Sequence, residues 1–376
     1  MQIKQATWND ESQLTEFFES FAFEDLINFK IQRPQGFFHP YQIQGKDFET
    51  YFLASDEGAI VATSSFVYHD FYSPSHDRPL KLAIARDMRL LPTRKAAIGW
   101  HENLNAIITQ VKSAHDTNGL MVLLSKKESH LLNSFLRTRL SSPQILRYDL
   151  YQRVKLVSLH GFFPIYKVDL PWINVRPAQE SDISMIDQFI KDPLHHRYSD
   201  IKDAHSLQTQ LKNMGLELDS VWLAINSQLK IVGLLTLLPS DLLQNYIPLS
   251  YQLRAHNFRQ FLKFGSLLGW THRLTKPKSR SKSELALNFF HVGHIRVTHS
   301  DVFEWMLKSI YNQIDHDSFL IYLKEENDQK LTLGPSALTA EMDFGLYSIT
   351  QPNESFLTQA NQWNREKLTL DSFYHF

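Results

Sequence analysis

The chain has 376 residues, 43% hydrophobic and 21% charged, with a net charge of -1 and no cysteine. This length favours two domains of ordinary size, each able to bury its own core. The missing cysteines exclude disulfides, thiolate metal sites and a cysteine nucleophile, and the near-neutral charge makes no general demand for nucleic acid or an anionic surface.

The opening, Met1 to Ser12, is polar and lacks the order of a signal peptide, and no apolar run approaches the ~20 residues of a membrane span, so a cytoplasmic protein with no membrane partner is expected. Ile3 to Asp10 predicts a short strand, a polar turn and a helix start. Val175 to Asp182 repeats that phrase, and Leu14 and Phe17 match Ile186 and Phe189. Such self-similarity points to two similar units. Phe21 to Lys46, with Pro34, Gly36 and Pro40, reads as helix plus loop. Phe48 to Ala54 and Ala59 to Val67 read as a hairpin around a turn containing Asp56 and Gly58. The second half repeats it with Val221 to Ala224 and Lys230 to Leu237. Phe52-Leu53-Ala54 is set against Trp222-Leu223-Ala224, and Ile60-Val61-Ala62 against Ile231-Val232-Gly233.

Lys81 to Leu91 predicts a long strand, Ala96 to Ala114 an amphipathic helix and Leu120 to Leu124 a buried strand. That unit implies a parallel pair with a right-handed crossover. Leu285 to Val297, Val302 to Gln313 and Ser318 to Leu323 echo it. Val154 to Leu159 and Phe162 to Val168 read as the closing strands of the first unit. Tyr251 to Ser283 is extra: a helical stretch, then a basic, Ser-rich loop from Arg273 to Lys282. The loop lacks interleaved aromatics, so it reads as solvated and nucleic acid is not expected as a partner.

One segment carries the site chemistry. In Leu90-Leu91-Pro92-Thr93-Arg94-Lys95-Ala96-Ala97-Ile98-Gly99-Trp100 a strand ends, a basic loop follows and a helix begins among small residues. A helix N-terminus offers unpaired N–H groups and partial positive charge, to which Arg94 and Lys95 add. Asp87 lies on the strand entering the loop. There it can pair with Arg86 or Arg89. The 17 histidines include His291 and His294, three apart on a strand, and His101, which lacks a second histidine at helical spacing; no metal is assigned.

The segment resembles the acyl-CoA loop of the GNAT superfamily of N-acetyltransferases, with Arg94, Ala97 and Gly99 falling on its Arg/Gln-x-x-Gly-x-Gly/Ala pattern. The order of elements over about 120 residues of each half resembles that family as well. The resemblance implies an α+β fold of two GNAT-like domains, each a twisted mixed sheet flanked by helices, over residues 1–168 and 173–350, followed by a C-terminal tail, 351–376. It also implies an N-acyltransferase that uses acetyl-CoA or another acyl-CoA, bound by Leu90, Leu91, Arg94, Lys95, Ala96, Ala97 and Gly99. Asp87 would be its base, and the acceptor a small-molecule or peptide amine. Three features depart from the pattern. Ala97 replaces a glycine, the spacing from Pro92 to Arg94 is one residue tight, and no Asn and Tyr are evident in Ser125 to Leu131. Setting Met88 against Ile295 puts Asp301, Glu304 and Met306 on Arg94, Ala97 and Gly99, so the second unit is expected to lack the loop. The alternatives are a non-catalytic GNAT-like interaction pair and an aminoacyl transferase of the FemABX kind.

Overall fold

A computed structural model describes residues 1–45, 47–73, 78–125, 146–165, 168–192, 199–277, 285–350 and 368–370. The first half runs β1 (Gln2–Gln5), α1 (Glu11–Glu19), β2 (Ala22–Phe23), β3 (Ile27–Gln32), α2 (His39–Gln44), β4 (Asp47–Ala54), β5 (Ile60–Phe71), β6 (Leu80–Leu90), α3 (Arg94–Ala114), β7 (Gly119–Ser125) and β8 (Arg147–Phe162). The second runs β9 (Asn174–Pro177), α4 (Ile183–Ile190), α5 (Ala204–Asn213), β10 (Val221–Ile225), β11 (Ile231–Pro239), β12 (Asn245–Tyr251), α6 (Leu253–Leu267), β13 (Asn288–Val297), α7 (Ser300–Tyr311), β14 (Ser318–Glu325) and β15 (Ala337–Thr350).

Twelve strands form one continuous mixed sheet in the order β1-β4-β5-β6-β7-β15-β8-β14-β13-β11-β10-β9. Read inwards from either edge, three antiparallel pairings are followed by one parallel pairing, β6 with β7 and β13 with β14. The matched openings are real local structure. Thr7 N–H donates to Asp10 Oδ2 at 2.8 Å, and Gln179 N–H donates to Asp182 Oδ2 at the same distance. Each carboxylate satisfies an orphan donor where the first helix starts.

In the hairpins, Ile60-Val61-Ala62 matches Ile231-Val232-Gly233 as expected, but the first strands match one residue out of the expected frame. Leu53 faces Ala62 and Ala224 faces Gly233, so Ala54 corresponds to Ile225, each followed by a register shift. Phe21 to Lys46 holds two short strands that were not expected, because β3 finds its partner across the molecule in β12. The closing strands differ too. β8 is a single strand, and it pairs with β14 of the second half rather than with β7. β15 lies between β7 and β8 and pairs with both. The last strands of the two halves have thus changed places. The tail residues 351–367 and 371–376 lie outside the described residues.

Helices cover both faces. α3 packs Trp100, Ile107 and Val111 against Phe66, Ala83 and Leu120, while α1 and α2 bury Leu14, Phe18 and Tyr41 on the opposite face. α7 and the α4–α5 pair do the same in the second half. A further cluster spans the centre, where Met121, Leu346, Val154 and Leu323 from adjacent strands meet Leu368 and Leu370 of the tail. Among the described residues, no helix is long and apolar enough to cross a membrane.

Candidate active site

β6 carries a bulge. Arg86 faces Ser65 and Arg89 faces Thr63, so Asp87 and Met88 together oppose Ser64. Asp87 takes φ 51°, a left-handed conformation that side chains other than glycine rarely adopt. The parallel pairing of β6 with β7 ends at Ala85 and Val122. Beyond it the strands part, leaving a gap flanked by Met88, Arg89 and the end of β7. Leu91 N–H still reaches Val61 O at 2.9 Å; then Thr93 caps α3, accepting from Ala96 N–H at 3.2 Å. In the first turn, the N–H groups of Arg94 and Lys95 have no intrahelical acceptor.

The bulge is held from inside by charge. Asp87 Oδ2 accepts from Arg33 Nη2 at 2.6 Å and from the Tyr41 hydroxyl at 2.7 Å, with Arg89 Nη2 at 3.7 Å from Oδ1. Arg33 also donates to Phe37 O, the Tyr41 hydroxyl and Gln244 Oε1, and its guanidinium lies over the Phe18 ring. Burial pushes the Asp87 carboxyl up, but Arg33 and Arg89 outweigh it and hold the group at about 2. Burial likewise pushes the Tyr41 phenol up, beyond the offsetting effect of Arg33. Asp87 is therefore an ionised anchor. Its main partner is Arg33, not Arg86 or Arg89 alone. Arg33, Tyr41 and Gln244 join the site from three separate segments, and no spacing in the sequence links them.

The residues expected to bind a cofactor fall into two groups. Leu90 and Leu91 are half-buried at the edge of the core, Arg94 is exposed and Ala97 half-buried. Lys95 Nζ lies 2.9 Å from Asp56 Oδ2, and the α-amino group of Met1 lies 2.8 Å from Oδ1. Hydrogen bonds from these two cations hold the exposed Asp56 carboxyl at about 2. Ala96 is fully buried, and a Cβ on Gly99 would come 3.0 Å from Met1 Sδ and 3.1 Å from Leu53 Cδ2. These two small residues thus let α3 approach the sheet closely. What remains at the helix mouth is backbone N–H and Arg94. Beyond Ser125, the stretch Lys126 to Leu131 lies outside the described residues.

The second half repeats the device with different chemistry. His294 and Ile295 oppose Leu235 in a bulge of the same register, with His294 at φ 48°. His294 is fully buried, its Nδ1 3.0 Å from Thr236 Oγ1 and its Nε2 3.0 Å from Gln210 Oε1. β13 and β14 part after His291 and Ile321. A cavity of about 30 Å³ lies where they part, lined by Ile295, Arg296, Leu323 and Glu325 and by Thr369 and Leu370 of the tail. Thr298 alone separates Val297 from the cap His299, so Ser300, not Asp301, stands where Arg94 stands. Glu304 does not face a ligand. It is buried, accepting from Gly334 N–H at 2.6 Å and the Ser336 hydroxyl at 2.8 Å. Among the described residues no His, Asp and Glu group could hold a metal.

No family model matches this chain, and no curated protein sequence is similar to it. Solved structures are similar in fold. A GCN5-related glucosamine N-acetyltransferase region of a fungal multi-domain β-N-acetylglucosaminidase superposes with a TM-score of 0.53 at 10% identity, over 93% of this chain and 38% of that one. N-myristoyltransferase of Saccharomyces cerevisiae with bound myristoyl-CoA superposes with a TM-score of 0.50 at 9% identity, over 93% of this chain and 79% of that one. A probable N-acyltransferase of Enterococcus faecalis V583 gives 0.47 at 9% identity, over 92% and 72%. The fold is that of the GNAT N-acyltransferases. At these identities the GNAT likeness is one of architecture, and activity has to be argued from the site.

Proposed function

We propose that the protein is an acyl-CoA-dependent N-acyltransferase that binds its acyl-CoA in the first half. Two GNAT-like units, 1–168 and 173–350, with the tail 351–376, would then share one site. One observation carries this reading. The parting of β6 and β7 leads directly onto the Thr93-capped start of α3 with exposed Arg94 in its first turn, whereas the corresponding helix of the second half carries the acidic Asp301 in its first turn.

The chemistry follows from the placement of the groups. An acyl thioester lying in the gap would bring its pyrophosphate over the N–H groups of Arg94 and Lys95, with the Arg94 charge beside it. The bulge leaves Asp87 and Met88 out of the ladder with β5, so its N–H groups can polarise a thioester carbonyl. An amine attacking that carbonyl must arrive neutral and lose a proton as the C–N bond forms and the C–S bond breaks. Asp87, held at about 2 and paired with Arg33, is a weak base, so its role here is to fix the bulge. Titration calorimetry with acetyl-CoA tests the reading. One site per chain, weakened by Arg94→Glu and untouched by Asp301→Ala, is expected. Absence of binding by acetyl-CoA and by longer acyl-CoAs would favour a non-catalytic interaction protein.

A further inference from the structure

α6 is apolar on two sides. Its inner side packs on the sheet through Leu262 and Gly265, with Phe258 half-buried beside them. A Cβ on Gly265 would meet the Thr271 side chain, so the helix is seated closely. Its outer side carries a second stripe. Phe261, Phe264, Leu267 and Leu268 recur at helical spacing and are exposed, Phe264 at 62% and Leu267 at 71%, while Leu253 is exposed at the start of the helix, beyond the polar Asn257 and Gln260. Phe163 touches both Phe261 and Trp270, and Ile165 is exposed just beyond it, so the stripe continues onto the end of β8. Scattered exposed apolar residues are ordinary; a contiguous stripe of this kind marks an interaction surface.

The charges of α6 and of the segment that follows it are of one sign, although Asp315 and Asp317 lie near Arg273. Exposed Arg254 and Lys263 flank it on the helix, and exposed Arg273 and Lys276 follow it. From Leu242 to Ser283 the sequence has no Asp or Glu, in a chain whose net charge is -1. Bulky apolar side chains pointing outwards between cations match the anatomy of a helix lying in a membrane interface. Nucleic acid could use the cations and stack on Phe261 and Phe264, but the exposed aliphatic Leu253, Leu267 and Leu268 beside them suit hydrocarbon rather than bases. A helix lying in an interface is a different arrangement from one that spans, so the lack of a spanning helix among the described residues is no obstacle.

We propose that α6 docks the protein on an anionic lipid surface, with Phe261, Phe264, Leu267 and Leu268 entering the interface and Arg254 and Lys263 meeting lipid headgroups. The proposal does not depend on acyl transfer. It is tested on the full chain by sedimentation with vesicles of phosphatidylcholine alone and of phosphatidylcholine with phosphatidylserine. Binding is expected with phosphatidylserine and to weaken with salt. Each cation near an anionic surface is worth about fivefold in partitioning, so Arg254→Gln with Lys263→Gln should cost roughly 25-fold. Phe264→Ser with Leu267→Ser should cost tenfold or more, on the order expected for removing two interfacial anchors. These side chains are exposed, so melting temperature should not change; should the apolar variant unfold, the charge variant still decides. No binding to phosphatidylserine vesicles overturns the proposal. So does binding to tRNA but not to vesicles, binding unaffected by the apolar change, or a dimer in solution that the apolar change dissolves.

Discussion

Asp87 and His294 hold the same position in the two halves. Each is a left-handed residue at the bulge of the strand that enters the gap, and each is anchored by a side chain from the helical layer below. The backbone strain is common to both halves, while the anchoring chemistry differs: an ion pair in the first half and a hydrogen-bonded histidine in the second.

Asp87→Asn should destabilise the protein by about 3–5 kcal/mol, because it leaves Arg33 buried without its counter-charge. Because its folded pKa is lowered to about 2, the stabilisation from Asp87 is present above the usual carboxylate range and lost only as pH falls through about 2. Urea denaturation of the two proteins checks the size. In an active enzyme, an anchoring role predicts that Asn lowers turnover without altering the shape of its pH profile. Loss of the rising limb would instead identify Asp87 as the base.

Gly99→Glu should abolish acyl-CoA binding, but it also drives a side chain into Met1 and Leu53. Arg94→Glu separates the two effects, since Arg94 is exposed. It should leave the melting temperature unchanged and weaken acyl-CoA binding by roughly tenfold, the scale of one charged contact to phosphate. Equal affinity in wild type and Arg94→Glu would move the phosphate site elsewhere.

Three buried histidines predict acid sensitivity. Burial holds His69, His160 and His291 neutral, each at about 3. Their folded pKa values lie below the unfolded value of about 6.5, so the stability they contribute is complete above that pH. It is lost as pH falls from there towards 3, because the unfolded chain takes up the protons first. Denaturation midpoints should fall steeply between neutral pH and pH 4, and His291→Leu with His160→Phe should flatten that slope.

Gly161→Ala should cost about 1–3 kcal/mol, as overpacking at a rigid contact does. A Cβ there would strike the backbone carbonyl of Trp270, where β8 meets the segment leaving α6. A thermal melt of the variant measures it, and an unchanged midpoint would mean that this junction yields.

Much of the fold was legible because much of it is local. The helix starts beside Asp10 and Asp182, the hairpins and the helix read from Ala96, which begins at Arg94, all announce themselves within a few residues. The one-residue offset between Ala54 and Ile225 was hidden, since a bulge shifts register without changing composition. β3 with β12, and Arg33 with Asp87 and Gln244, depend on partners far away in sequence, which periodicity cannot reveal. The small residues at the start of α3 read in the sequence as a phosphate site, but Ala96 and Gly99 face the core, a distinction that only packing makes.

The exchange of β8 and β15 has a consequence for biosynthesis. The place beside β7 is filled by residues ending at Thr350, so the first half cannot complete its sheet while it leaves the ribosome. It must wait, with β7 unpaired on one side, until the residues up to Thr350 have emerged. Pairings at such sequence separation fold slowly and leave a strand edge exposed meanwhile. Neither half, cut out near Asp169, would carry its own final strand, so the chain is expected to fold as one cooperative unit and to resist division into working fragments.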